Sequence, residues 1–372
     1  MNVIFIIGIF ISLFQFVLLL NKKSKSMPDK LLAALMMTIS IHLTSYYLYY
    51  LGYWIIYPHL VGITVPFPLL YGPLLYLYIL YSLKGENHLK RIDYLHFAPA
   101  ILSYLYMCKF YFFYSAEEKR LVDSGQLDVS EVFNTLLLIA FMVSGIAYAV
   151  LSYQLLNKHK RLIENNFSDT ENINLNWLKN FILGFGFIFL TVSVVVVSRD
   201  FMHFNYSFNP DYIFYSMMVL GILALGYFGI RHENIFVDNV DLVKEPKLKG
   251  EYKNSGLKDD DASIKYNLLL NLMKEEKPFL ESKLTLNALA KMLEISPNHL
   301  SQIINQFENQ NFNDFVNKYR IEEFIKKASE NNNYSLLANA LDSGFNSKST
   351  FNAVFKKQKG TTPSQYMSLN KT

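Results

Sequence analysis

Apolar residues follow two different rhythms along this chain. From Met1 to Phe228 they run in long stretches barely interrupted by charge, whereas from Glu233 to Thr372 Lys, Asp, Glu and Asn recur throughout. A hydrocarbon core about 30 Å thick is crossed by about 20 mostly apolar residues in helical form. Seven stretches reach that length, approximately Met1 to Leu20, Leu31 to Leu51, Leu60 to Ser82, Leu95 to Phe113, Phe133 to Leu156, Leu178 to Val197 and Ile213 to Ile230. They predict seven transmembrane helices. The third holds Pro66, Pro68 and Pro73 with Gly62 and Gly72, and it is read as a kinked span because neighbouring helices or water re-satisfy the freed backbone groups. The first lacks a basic region before it and a small-residue cleavage pattern after it, so it is expected to be an uncleaved helix.

Residues Phe236 to Ala262 are charged, contain Pro246, Gly250 and Gly256, and show no sustained apolar period; they read as a linker. Beyond them the period becomes 3.6. A helix from about Ser263 to Lys274 leads to Leu286, Leu289, Ala290 and Leu293, the i, i+3, i+4, i+7 spacing of one buried face, behind Thr285 as a cap. Ser296 and Pro297 then suit the N-cap and first position of the next helix. Its predicted buried face is Leu300, Ile303, Ile304 and Phe307, which leaves Asn298, His299, Ser301, Gln302 and Asn305 pointing outward. Two short helices joined by a tight turn, the second polar on its free face, form the helix-turn-helix pattern.

A long helix from Asn311 to about Glu330 follows, buried through Phe312, Phe315, Val316 and Tyr319, and then the pattern repeats. Leu337, Ala340 and Leu341 mark a short helix, Gly344 ends it as a left-handed turn residue, and Ser347 caps the next. Phe351, Val354 and Phe355 face inward; Lys348, Ser349, Asn352, Ala353, Lys356 and Lys357 face outward, and the last two suit phosphate.

Orientation follows from Lys and Arg in short loops, which stay preferentially on the cytoplasmic side. One set of loops holds Lys22, Lys23, Lys25, Lys30, Lys84, Lys90, Arg91, Lys158, Lys160, Arg161 and Arg231, while the opposite set holds only Lys119, Arg120 and Arg199. The expected arrangement is a multi-pass protein of a bacterial inner membrane with its N-terminus outside and its C-terminal domain in the cytoplasm. Trp54 and Trp177 fall where amphipathic rings prefer the interface.

Composition changes this picture little. The net charge of +4 is too small to imply a nucleic-acid partner by itself, and the tail from Ala262 carries a mild excess, 14 Lys and Arg against 10 Asp and Glu. The single cysteine, Cys108, excludes an internal disulfide and a Cys-based zinc module. His159, His203 and His232 lie in separate loops and no glycine-rich phosphate loop occurs, so no catalytic residue, metal or cofactor is expected.

Ionisable residues inside membrane spans are costly and mark function; the predicted spans are nearly empty of them. His42 lies near the centre of the second, either hydrogen-bonded to a neighbouring helix or serving as a pH or ligand switch. Tyr46, Tyr47, Tyr49, Tyr50, Tyr53 and Tyr57 follow it, and either form an interfacial aromatic belt or wall an outward-facing pocket. His42, Tyr46, Tyr50 and Tyr53 are therefore the candidate sensing residues.

From about Asp261 to Tyr366 the chain resembles the DNA-binding domain of the AraC/XylS family, through LTLNALAKMLEISPNHLSQIIN, FNDFVNKYRIEEF and GFNSKSTFNAVFKKQKGTTPSQY in that order. The predicted spans before it, including LLYGPLLYLYI, resemble membrane-bound regulators of that family. The resemblance implies two recognition helices entering successive major grooves of double-stranded DNA about 34 Å apart. The residues at those positions are Asn298, His299, Ser301, Gln302 and Asn305, then Ser347, Lys348, Ser349 and Asn352. Asn and Gln pair with adenine edges and Lys with guanine, so readout would lean toward amides. The family commonly has Arg where this chain has Ala353.

The expected fold class is thus all-α: a seven-helix transmembrane bundle over residues 1–232, a juxtamembrane linker over 233–261, and a cytoplasmic AraC-type domain with two helix-turn-helix motifs over 262–372. The expected function is a membrane-embedded one-component transcription regulator, not an enzyme. Its partners would be DNA, the lipid bilayer and a small-molecule or lipid effector. A homodimer through the spans would raise the local concentration of readers for paired half-sites, although no residue marks it. The alternatives are a membrane transporter or enzyme whose cytoplasmic module docks a protein partner, and a reader released by cleavage near Gly250.

Overall fold

A computed structural model describes residues 2–170, 175–202, 204–231, 259–330 and 334–369. Among them the chain is helical throughout, with one isolated antiparallel bridge, Phe167 to Thr285. It forms two compact units, Met1–Asn157 with Leu175–Asp238, and Lys158–Asn174 with Asn239–Thr372. The linker expected over 233–261 lies outside the described residues except for its last three, and so do His203 and His232.

The first unit contains α1 (Asn2–Leu20), α2 (Met27–Tyr50), α3 (Tyr53–Ile56), α4 (Pro68–Lys84), α5 (Ala98–Phe113), α6 (Ala116–Asp123), most of α7 (Glu131–Asn166), α8 (Asn176–Val196) and α9 (Asp211–Arg231). α2 starts at Ser26, whose hydroxyl accepts from the Asp29 amide while the Asp29 carboxylate accepts from the Ser26 amide; this reciprocal box satisfies two otherwise orphaned donors. The core joins Phe5 of α1, Leu35 and Leu43 of α2, Leu77 and Tyr81 of α4, Ile182 and Phe189 of α8, and Ile222 of α9. Where α7 crosses α8, a Cβ on Gly145 would stand 1.7 Å from the Phe189 ring, so the helices approach through a missing side chain, as apolar helices do where backbones pack closely.

Four helices, rather than the seven expected, are long and apolar enough to cross a membrane among the described residues: α1, α2, α7, and α8 extended to Arg199. Two of the others are shorter for local reasons. The expected third span opens with a 3-10 turn at Pro58–Leu60 and a left-handed Gly62, and becomes regular only at Pro68, leaving 17 helical residues in α4. The expected fourth begins as a 3-10 segment, Arg91–Phe97, before the 16 residues of α5. α9 offers an apolar stretch over Asp211–Leu225. Val3, Ile6, Phe10 and Phe14 on α1 and Leu102, Leu105, Phe112 and Phe113 on α5 are exposed; water-soluble monomers rarely carry such faces.

The second unit contains the end of α7 and then α10 (Asp259–Glu275), α11 (Leu286–Met292), α12 (Pro297–Glu308), α13 (Phe312–Glu330), α14 (Leu336–Leu341), α15 (Lys348–Lys359) and α16 (Pro363–Leu369). It has two cores strung on α13. Phe312, Phe315 and Val316 join Leu269, Leu286, Leu289, Leu300, Ile303 and Ile304 in the first. Ile321, Phe324 and Ala328 join Ala340, Phe345, Phe351 and Phe355 in the second. One helix thus serves two modules, its N-terminal half in one core and its C-terminal half in the other.

Candidate nucleic-acid interface

Each module is a short helix, a tight turn and a capped second helix. In the first, Thr285 caps α11 by accepting from the Ala288 amide at 3.1 Å, and Ser296 caps α12 by accepting from the His299 amide at 3.2 Å with Pro297 following. In the second, Ser335 caps α14, and Ser347 caps α15 by accepting from the Thr350 amide at 3.2 Å. Gly344, expected to be left-handed, has φ of +95°. Hydroxyl caps of this kind contribute about 1 kcal/mol each, and they fix where both second helices begin.

The outward faces differ between the modules. On α15, Lys348, Ser349, Asn352, Lys356 and Lys357 are exposed and Ser347 is half-buried, as their spacing predicts. Lys357 reaches Asp314 of α13 at 2.6 Å, which leaves Lys348, Lys356 and the exposed Lys359 as the other lysines of that helix. On α12, Asn298 is exposed and His299 and Asn305 are half-buried; the Asn305 amide donates back to the Ser301 carbonyl at 2.8 Å. Ser301 and Gln302 depart from expectation, for both are buried, at 4 % and 7 % exposure. α12 packs against α10, α11 and α13, so its solvent-facing strip is narrower than a two-helix picture implies. Phe307, expected in the core, is instead 38 % exposed and stacks on Tyr266 with centroids 4.5 Å apart.

Between the modules lies Arg320, whose buried role its sequence context did not announce. Its guanidinium is 1 % exposed and donates to the carbonyls of Phe279 at 2.8 Å, Glu281 at 2.7 Å and Ser282 at 3.2 Å. It lies over the Phe345 ring at 6.0 Å. Burial lowers its pKa to about 10, and Asp169 works against that shift, so the group stays charged at neutral pH. Removing the guanidinium would strand several buried carbonyl oxygens, and a buried polar group left unbonded typically costs about 1–3 kcal/mol. A second electrostatic cluster lies at the end of α12. Burial pushes the Glu308 carboxyl up, but hydrogen bonds from Tyr266 and Lys318 outweigh it and hold the group below its usual range.

In the first unit, the candidate sensing residues separate into two places. His42 is buried; its Nδ1 meets the Tyr71 hydroxyl and its Nε2 lies 3.3 Å from the Tyr215 hydroxyl. A neutral imidazole has one donor and one acceptor nitrogen, so one phenol donates to the ring and the other accepts from it. Tyr46 joins this network, with its ring 3.9 Å from that of Tyr215 and its hydroxyl accepting from Asn209 at 3.3 Å. Tyr50 and Tyr53 are exposed; Tyr50 lies against Tyr212 and reaches the network through the Phe5 ring, and Tyr53 stacks on Tyr57. Beside the network is a cavity of about 450 Å³, lined by Leu35, Leu75, Phe181, Phe185 and Met218 and bounded by Tyr71 and Phe214. Tyr71 therefore belongs to both the cavity wall and the His42 contact, a link that sequence spacing could not show. Among the described residues no group of His, Cys, Asp or Glu is arranged to hold a metal.

Residues 289–368 match the helix-turn-helix domain family. No curated protein and no solved structure matches the chain. The matched segment begins within α11 and ends within α16, so it takes in the second module and all of the first but its cap Thr285 and the opening residues of α11. The C-terminal end of this chain thus carries a helix-turn-helix domain, a module that in DNA-binding proteins sets its second helix in the major groove.

Proposed function

We propose that the protein is a membrane-embedded one-component transcription regulator that reads specific double-stranded DNA through α12 and α15. The carrying observation is the duplication: two serine-capped helices, each on its own core and sharing α13, present Asn298, His299 and Asn305 in one module and Ser347, Lys348, Ser349, Asn352, Lys356 and Lys357 in the other. Asn and Lys supply base-edge contacts and the lysines at the end of α15 supply phosphate contacts. Ala353 is exposed on α15 and offers no such contact.

The four long apolar helices support a sensor part embedded in the bilayer. Residues 158–174, the end of α7 and the passage after it, fold into the same unit as the C-terminal domain, so on this reading the 21-residue α9 crosses the bilayer together with α8 and returns the chain to the face on which α7 ends. Lys158, Lys160 and Arg161 at the end of α7, within that segment, favour the cytoplasm for that face, with the N-terminus outside. The effector we assign to the cavity is an apolar small molecule or lipid chain, because its lining is almost wholly aliphatic and aromatic, and its volume lies within the usual range of ligand pockets. Tyr71 would report occupancy to His42, Tyr215 and Tyr46.

Mapping the genomic fragments bound by the full-length protein in cells tests the DNA reading. A recovered set sharing two half-sites about one helical turn apart is the expected result; recovery of no fragment above background would overturn it.

A further inference from the structure

The second unit is not one continuous stretch of chain. Phe167, Ser168 and Asp169 follow α7 without a break, and they are built into the reader. Phe167 forms the isolated bridge with Thr285, the cap of α11. The Ser168 amide donates to the Leu284 carbonyl at 3.1 Å and its hydroxyl donates to the same oxygen at 2.7 Å. Asn313 of α13 donates to the carbonyls of Phe167 at 3.2 Å and Ser168 at 2.9 Å. Arg320 reaches the Ser168 carbonyl at 3.3 Å and hydroxyl at 3.0 Å. Asp169 accepts from Asn346 at 3.0 Å, one residue before the cap of α15. Ser168 is fully buried.

Three residues therefore hold the start of the first helix-turn-helix, the shared helix, and the turn that launches the second recognition helix. Buried polar groups satisfied from several elements at once rigidify the arrangement they join. We infer that Phe167–Asp169 is a brace that fixes the mutual setting of α12 and α15, so that the state of α7, which ends in the brace, governs whether both helices engage DNA together. This inference rests on the DNA-reading proposal, and it predicts a defect in joint binding rather than in binding by either module.

The test uses the full-length protein in membranes and a genomic fragment recovered with the wild type, together with two versions in which one or the other half-site is scrambled. The double variant Asn313→Ala with Asp169→Ala removes brace contacts without touching either recognition face. It is expected to weaken binding to the intact fragment about tenfold while changing binding to the half-site versions less than about twofold. An equal loss on all three fragments, or no loss on any, overturns the brace. A second arm needs no DNA: Asp169→Cys with Asn346→Cys, in a Cys108→Ser background, is expected to cross-link under mild oxidation in membranes. If the pair stays reduced, the brace is refuted. If the wild type recovers no fragment at all, the DNA reading fails and the cross-link alone decides the brace.

Discussion

Gly344 and Phe279 meet so closely that a Cβ on the glycine would lie 2.3 Å from the Phe279 carbonyl oxygen, the same oxygen that accepts from Arg320. The first residue opens the turn of the second module and the other belongs to the core of the first, so the contact is a seam between them. Gly344→Ala is expected to destabilise the second unit by more than the roughly 1–2 kcal/mol that left-handed strain alone costs, because the clash is with backbone. Pulse proteolysis of the full-length protein measures it; a smaller loss would mean that the seam yields.

On the proposed reading of α12 and α15, exposure separates residues that reach DNA from residues that pack. Asn352→Ala is expected to weaken binding to a recovered genomic fragment by about 1–3 kcal/mol and to relax its base preference, with stability unchanged. Gln302→Leu, which fills the same buried place, is expected to leave affinity within about twofold. Competition gel shifts on fragments with single substitutions distinguish the two, and an equal loss for both would return Gln302 to the reading face.

Acid should loosen the end of α12. The Glu308 carboxyl is held below its usual range in the folded protein, so it contributes stability above the unfolded carboxyl pKa of about 4.3 and loses it as pH falls through the lower folded value. Glu308→Gln is expected to lower stability at pH 7 and to flatten its decline below about pH 4.5. Hydrogen exchange at α12 and α13 across that range checks it; parallel decline in both proteins would assign the acid sensitivity elsewhere.

Removing one hydroxyl tests the sensing network. Tyr71→Phe keeps the ring on the cavity wall but strands the His42 Nδ1, and a buried polar group left unbonded costs about 1–3 kcal/mol. Thermal denaturation of the solubilised full-length protein should show a loss in that range, and target-gene output should no longer follow the effector. A variant as stable and as responsive as the wild type would separate the cavity from His42.

Much of the C-terminal domain was legible because its signals are local. Ser296, Pro297, Gly344 and Ser347 act on their own turns, and apolar spacing on α12, α13 and α15 marked the core-facing residues Leu300, Phe315 and Phe351. Side-chain exposure depends on neighbours from distant sequence, which is why Ser301 and Gln302 were misplaced: their periodicity gives a face, but α10, α11 and α13 together cover more of α12 than one neighbour would. In the membrane part, hydropathy found the apolar stretches but not where the backbone becomes regular, so Pro58, Gly62 and Pro66 shortened a span that composition alone made long. Arg320 and Ser168 carried no local mark, since their partnership spans the length of the chain between them.

Because residues 158–174 belong to the C-terminal unit, that unit is assembled from two separate passages of polypeptide. A fragment produced by starting the chain after α9 would lack the bridge from Phe167 to Thr285 and two of the acceptors of its central arginine, both on Ser168. Severing the connection that follows α9 would likewise not set a whole domain free, since its missing portion would remain joined to α7 and α8. Swapping such a reader onto another sensor as a cassette requires two splice points, not one.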